Sequence, residues 1–298
     1  MKTAWVFPGQ GSQAIGMGAD LAEDATAIAR FEQAASILGW SVPDVCQSEE
    51  DKLSKTLYTQ PCLYVIESIL VDLTRQRGQE PSFVAGHSLG EYVALYAAGV
   101  LDFAAGLHLV KRRAELMDTA SEGMMAALIG FDRDQLEQAI EATDGVVLAN
   151  DNNSAQVVIS GTKDGVEAVM AAVKTKRAMP LNVSGAFHSP LMEAAAQEFQ
   201  EVLEPVMFQP AKVPVLSNVD PIPTTDAETL KQRLAQQMTG SVRWREISLQ
   251  LEAEGVEQVI EVGPGKVLTG LVKRTCKDMA LENVGAIADL DRLFPNPS

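Results

Sequence analysis

Residues Gly86-His87-Ser88-Leu89-Gly90 constrain this chain more than any other stretch. They follow a short apolar run, Ser82-Phe83-Val84-Ala85, and precede a helix-like run from Glu91 to Ala98. A strand, a tight turn with Ser at its apex and then a helix is the setting of a nucleophile elbow in an α/β protein. Gly86 and Gly90 lack a Cβ, so strand and helix can approach closely around a strained Ser. Ser88 then stands at a helix N-terminus, where main-chain N–H groups can meet a developing oxyanion. A plain Gly-rich turn would show the same letters; the strand before and the helix after favour a nucleophile.

The composition bounds what such an elbow can belong to. A length of 298 residues allows one large domain or two, with ample chain for a buried core. Asp and Glu number 40 against 24 Lys and Arg, a formal net charge of -16. That charge speaks against nucleic acid as a partner. The three cysteines, Cys46, Cys62 and Cys276, are far apart and odd in number. They show no paired metal-ligand spacing and no disulfide framework, so no metal site is expected and the compartment is reducing. The opening run Met1 to Phe7 is broken by Pro8 too soon for a signal peptide. The apolar run Tyr92 to Leu101 falls well short of the roughly 18 residues a membrane span needs. A soluble, cytoplasmic protein with no membrane partner is expected.

Along the chain, Thr3 to Phe7 reads as a buried strand that enters a turn-rich loop, Pro8 to Gln13. Helical segments follow to about Arg77, with Pro43 and Pro61 as breaks. Phe103 to Thr119 is a clear helix, because Phe103, Leu107, Val110, Ala114 and Met117 recur at helical spacing. The rhythm changes between Met124 and Ala186. Met125 to Ile129 reads as a strand and Asp132 to Ala142 as a helix with Asp132 as N-cap. Val146 to Ala149 and Gln156 to Ile159 read as strands joined by an Asn-rich turn. Lys163 to Lys174 reads as a helix and Ala178 to Val183 as a last strand. That βαββαβ order is ferredoxin-like. It predicts a small unit, 124–186, inserted into a larger α/β layer formed by 1–123 and 187–298. After it come a helix (Pro190 to Leu203), a strand (Val213 to Ser217), more helix, a strand (Val256 to Val262), and a helix from near Lys266.

A Ser nucleophile needs a base, and His is the usual one. The chain offers His87, His108 and His188. His87 is the neighbour of Ser88 and points elsewhere. His108 lies one residue off the apolar stripe of its helix, the place of a solvated side chain. His188 lies in the loop Ser184 to Pro190, between the inserted unit and the next helix, where pockets form. A lone loop His is ordinarily structural; a nucleophile in need of a partner makes His188 the candidate base. The ordinary α/β-hydrolase order ends on a His near the C-terminal end of the sheet. No His follows His188 here, so a standard lipase or esterase does not fit.

Arg113 flanks the apolar face of its helix, and a guanidinium there must find an anion. A structural salt bridge and a bidentate clamp for a substrate carboxylate both satisfy that need. The loop Pro8 to Gln13 offers an oxyanion donor near Gln10, or is a simple strand-to-helix turn. Gly263-Pro264-Gly265 lacks a P-loop ending and reads as a tight turn. Asn150, Asp151, Asn152 and Asn153 read as hairpin residues.

Six spaced motifs together resemble those of the malonyl-CoA:acyl carrier protein transacylases. They are Phe7-Pro8-Gly9-Gln10-Gly11-Ser12-Gln13, Thr59-Gln60-Pro61, Gly86-His87-Ser88-Leu89-Gly90-Glu91-Tyr92, Arg113, Ala186-Phe187-His188 and Glu261-Val262-Gly263-Pro264-Gly265. The match runs in order to about residue 275. The resemblance implies an α/β-hydrolase-like large subdomain with an inserted ferredoxin-like one. It implies Ser88 as nucleophile and His188 as base, with Gln10 and Leu89 supplying oxyanion-hole N–H groups. Arg113 would hold the malonyl carboxylate, Gln60 would line the site, and Phe187 would exclude an α-methyl group. Gln237 falls where the family orients the His with a main-chain carbonyl in place of an Asp. Asn150, Asn152 and Gln156 match a family loop near the site, although Ala155 stands where the family often has Pro.

The implied reaction is ping-pong transfer of malonyl from malonyl-CoA to acyl carrier protein, with no cofactor and a monomeric enzyme. Carrier proteins are acidic, so an acidic enzyme needs a basic rim. Lys174, Lys176, Arg177, Lys266, Lys273 and Arg274 are candidates, as are scattered solvated charges. A trans-acting acyltransferase of polyketide synthesis and a Ser-His thioesterase or hydrolase use the same residues. A non-enzymatic binding protein would form no adduct at Ser88.

Overall fold

A computed structural model describes residues 1–48, 50–120 and 122–295. Strand β1 (Thr3–Phe7) is almost wholly buried. After a single 3-10 turn the chain forms α1 (Ala25–Leu38), capped by the Asp24 carboxylate, and α2 (Val42–Gln47), capped by Ser41 with Pro43 in its first turn. Then come α3 (Thr56–Gln76), β2 (Phe83–Gly86), α4 (Gly90–Ala97) and α5 (Phe103–Thr119). The chain next builds β3 (Met124–Phe131), α6 (Arg133–Glu141), β4 (Val146–Asn153), β5 (Gln156–Gly161), α7 (Lys163–Ala172) and β6 (Thr175–Pro180). A 3-10 turn at Pro190–Met192 leads to α8 (Glu193–Leu203), β7 (Val215–Leu216), α9 (Ala227–Gln236) and α10 (Trp244–Ala253). The course ends with β8 (Gln258–Val262), α11 (Val267–Thr275), β9 (Ala280–Val284) and α12 (Ile287–Leu293).

The strands form two sheets. The first is parallel throughout, in the order β7-β2-β1-β8-β9. Its inner strands β2 and β1 are largely apolar runs, as strands covered on both faces must be, and β8 is too except for the buried Glu261 and its first residue, Gln258. In the register Phe7 lies beside Gly86. The loop after β1 and the Ser88 turn after β2 therefore emerge side by side at the carboxyl ends of the strands, where open α/β sheets hold their ligands. The second sheet is antiparallel, in the order β4-β5-β3-β6. With α6 and α7 it makes the ferredoxin-like βαββαβ arrangement inside a larger α/β layer. The expected division into 1–123 with 187–298 and 124–186 also takes in Glu49, Ser121 and 296–298, which lie outside the described residues.

Strand β4 ties the two sheets together. Asp151 N–H donates to the Val242 carbonyl at 2.9 Å, and Val242 N–H donates to the Ala149 carbonyl at 2.8 Å. The buried Asp151 carboxylate accepts from Arg133 on α6 at 2.8 Å and from Arg245 on α10 at 2.9 Å.

Several local expectations need correction. Pro61 does not break a helix but lies inside α3. Its missing N–H leaves the Leu57 carbonyl without its usual partner, yet α3 buries most of its surface, and packing outweighs that loss. Asn150 to Asn153 do not form the hairpin turn: they are the end of β4, with register shifts where they pair with β5. The last strand of the small sheet is Thr175–Pro180, three residues earlier than its apolar run suggested. As an edge strand it exposes Lys176 and Arg177, so it lacks a core strand's pattern. Strand β9 and helix α12 were not expected. Of β9 only Val284 is buried, so its apolar signal is faint.

Candidate active site

The elbow is built by close backbone approach. A Cβ on Gly86 would lie 1.9 Å from the Gly90 carbonyl, and one on Gly90 would lie 2.0 Å from the Phe7 carbonyl oxygen. Both positions admit only glycine. Ser88 itself has φ 52, a left-handed conformation rare for a residue with a side chain. Asn218 holds that shape. It accepts from Ser88 N–H at 2.7 Å and donates to the Gly86 carbonyl at 2.6 Å. Sequence reasoning missed Asn218, which follows the two-residue strand β7 and carries no motif of its own.

His188, also at positive φ (56), lies 2.8 Å from Ser88 Oγ through its Nε2. Its Nδ1 faces two main-chain carbonyls, Gln237 at 3.0 Å and Gly240 at 3.1 Å. Carbonyl oxygens only accept, so Nδ1 carries the proton and Nε2 presents a lone pair to the Ser88 hydroxyl. Burial, reinforced by the positive charge of Arg113, pushes the His188 pKa down to about 3. The imidazole is thus neutral and able to accept a proton. His87 turns away to bond Asn152 Oδ1 at 2.9 Å and packs against Trp244. His108 is exposed on α5.

Arg113 is 1% exposed. Its Nη1 donates to Gln60 Oε1 at 2.5 Å, and its Nη2 donates to Gln237 Oε1 and to Ser88 Oγ, each at 3.0 Å. Its Nε has no partner among the described residues. Neutral amides hold this guanidinium, and among the described residues no carboxylate comes within ion-pair distance of it. The structural salt bridge is therefore not what fills its need. Glu91 is buried on the next helix and reaches Arg113 through Gln237, whose Nε2 donates to Glu91 Oε2 at 2.8 Å and to the Ser88 carbonyl at 2.9 Å.

A cavity of about 530 Å³, open mouth included, lies over Ser88 and His188. Gln10, Gln60, Leu89, Arg113, Asn150 and Phe187 help to line it. Among the described residues no hydrogen bond claims the main-chain N–H of Gln10 or Leu89. Gln237 does not line the cavity with the substrate-binding candidates but lies fully buried behind Ser88 and Arg113. A vestibule of about 1090 Å³, open solvent included, shares Gln10, His87 and Asn150 with the cavity. Asn152, Gln156 and Val267 border the vestibule rather than the reacting atoms. The six candidate basic-rim residues are all exposed, and none forms an ion pair among the described residues. No group of three or more His, Cys, Asp or Glu among the described residues is placed to hold a metal ion. Among the described residues no helix is long and apolar enough to cross a membrane.

This geometry suits a Ser-His acyl transfer in which the acyl group carries an anion. The family model for the acyl transferase domain matches residues 4–292. The chain belongs to this acyltransferase family. Among other acyltransferases, it is 61% identical over 293 residues to the malonyl CoA-acyl carrier protein transacylase of a Synechocystis species, covering 98% of this chain and 100% of that protein. The crystal structure of a Synechocystis malonyl-CoA:ACP transacylase superposes with a TM-score of 0.97 at 61% identity, over 98% of this chain and 100% of that one. A malonyl-transacylase solved in complex with a type II polyketide acyl-carrier protein superposes with a TM-score of 0.94 at 38% identity, over the full length of both chains.

Proposed function

We propose that the protein moves a malonyl group from malonyl-CoA to the phosphopantetheine thiol of acyl carrier protein through a malonyl-Ser88 intermediate, supplying extender units for fatty acid synthesis. The observation that carries this reading is the buried Arg113, which lies against the nucleophile with no carboxylate in ion-pair distance among the described residues. A guanidinium so placed calls for an acyl group that brings a carboxylate.

His188 Nε2 takes the Ser88 proton as Oγ attacks the thioester carbonyl. The Gln10 and Leu89 main-chain N–H groups receive the oxyanion. The imidazolium, steadied by the Gln237 and Gly240 carbonyls, returns the proton to the departing CoA sulfur. The carrier thiol then repeats the sequence in reverse on the acyl-enzyme. The carboxylate would take Arg113 Nη2 from Ser88 Oγ, freeing the hydroxyl as the substrate settles. No step uses a metal or a cofactor. Phe187 crowds the α-carbon, and Asn150, Asn152 and Gln156 line the path of the pantetheine arm.

Residues 1–123 and 187–298 form the large subdomain in this reading, with 124–186 inserted. The protein acts in the cytoplasm as a monomer and meets its carrier at the vestibule rim. Exposed Lys266, the chain neighbour of Val267 in the vestibule wall, is the basic residue best placed to meet it. Mixing enzyme with malonyl-CoA alone tests transfer against hydrolysis. A single burst of CoA, with steady release only after holo-carrier is added, is expected. Steady release without carrier would make the protein a hydrolase.

A further inference from the structure

We propose that the Thr56 hydroxyl is a positioning group that couples the Arg113 clamp to the oxyanion loop; this rests on the malonyl-transfer reading above. Four side chains form one hydrogen-bonded file. Arg113 Nη1 donates to Gln60 Oε1 at 2.5 Å, Gln60 Nε2 donates to Thr56 Oγ1 at 2.9 Å, and Thr56 Oγ1 donates to Gln10 Oε1 at 2.6 Å.

The file has only one polarity. A guanidinium has donors and no acceptor, so Gln60 must turn its oxygen to Arg113 and its amide hydrogens to Thr56. The Thr56 oxygen then accepts, and its single hydrogen is left for Gln10. Gln60 and Thr56 are buried at 1% and 3% exposure, so solvent does not substitute for a lost member. The bond from Thr56 is the one hydrogen bond of the Gln10 side chain among the described residues. It fastens the loop after β1 to the first turn of α3. On its other side that loop is wedged against the elbow, where a Cβ on Gly9 would lie 2.4 Å from the His87 carbonyl oxygen. The position of the Gln10 N–H therefore depends on a chain that begins at the carboxylate clamp.

Removing the hydroxyl unmakes two hydrogen bonds, one buried and one part-buried. Gln60 Nε2 keeps only its weak acceptor, Met117 Sδ at 3.4 Å, so the amide turns more easily to present donor to donor at Arg113, and the Gln10 loop loses its tether. Malonyl transfer suffers both losses, whereas acetyl transfer suffers only the second. The test compares Thr56→Val with Thr56→Ser, each checked for a native melt and assayed with malonyl-CoA and acetyl-CoA. Thr56→Val should lower kcat/KM about thirtyfold for malonyl-CoA and about threefold for acetyl-CoA, so that their ratio falls about tenfold. Thr56→Ser, which keeps the hydroxyl, should restore both. If Thr56→Val does not fold, Thr56→Ala carries the same expectation. A Val or Ala variant with an unchanged malonyl-to-acetyl ratio, or a Ser variant no better than Val, would overturn the inference while wild-type malonylation leaves the functional reading standing. A wild-type enzyme that gains no malonyl group would remove both.

Discussion

The side chains proposed as nucleophile and base share an unusual backbone state, with Ser88 at φ 52 and His188 at φ 56. Conformations of this kind cost roughly 1–3 kcal/mol each and persist where the surroundings over-determine them. Asn218 supplies that restraint for Ser88, and the carbonyls of Gln237 and Gly240 anchor His188. Because burial holds His188 neutral far below the ordinary histidine range, its basic form persists as pH falls through 6.5. The kcat/KM profile for self-acylation should therefore show no half-loss near pH 6.5, its acid limb lying toward pH 3. A midpoint at 6.5 would contradict the burial argument. Arg113→Ala should lower malonyl-CoA kcat/KM by about a hundredfold or more while acetyl-CoA changes little, since a buried carboxylate left unpaired costs about 3–5 kcal/mol. A retained malonyl preference would remove Arg113 from its role. Ser88, His188 and Arg113 were legible as chemical types in the sequence. Asn218 was not, because its partners Ser88 and Gly86 are remote along the chain, and Glu91 and Thr56 carried no sign of the Gln237 and Gln10 contacts that give them their place.

At the scale of elements, the elbow depends on glycines packed backbone to backbone. Gly90→Ala should destabilise the protein by about 3 kcal/mol or more, because the methyl group meets the carbonyl of Phe7 at 2.0 Å and main chain does not yield as a flexible side chain does. A melting temperature within a degree or two of wild type would argue against so tight an elbow. Periodicity located β1 and α5 to the residue, since each has one strongly apolar pattern and clear ends. It failed where tertiary pairing overrides local signals. The asparagines of β4 have the letters of a turn, yet pairing with β5 and Val242 draws them into a strand. Pro61 has the letter of a break, yet α3 is surrounded by core and carries through it.

For the whole molecule, the cleft exists because a second sheet is fastened beside the first. Asp151 is the charged part of that fastening, and its strand also presents Asn150 and Asn152 to the vestibule. Arg133 and Arg245 are partly exposed, so Asp151→Asn should cost only about 1–2 kcal/mol of stability. It should raise KM for malonyl-CoA several-fold with kcat within about threefold of wild type, which steady-state kinetics checks directly. An unchanged KM would mean that β4 is held without the ion pair. The insertion itself was readable from the βαββαβ rhythm; the contacts that fasten it were not, because they join residues almost a hundred positions apart. The central claim is that Ser88 carries a malonyl group between two thiols, and intact-protein mass spectrometry after brief exposure to malonyl-CoA tests it most directly. The account predicts one malonyl adduct, absent in Ser88→Ala and discharged when holo-acyl carrier protein is added. No adduct on the wild-type protein, or an adduct that survives in Ser88→Ala, would contradict it.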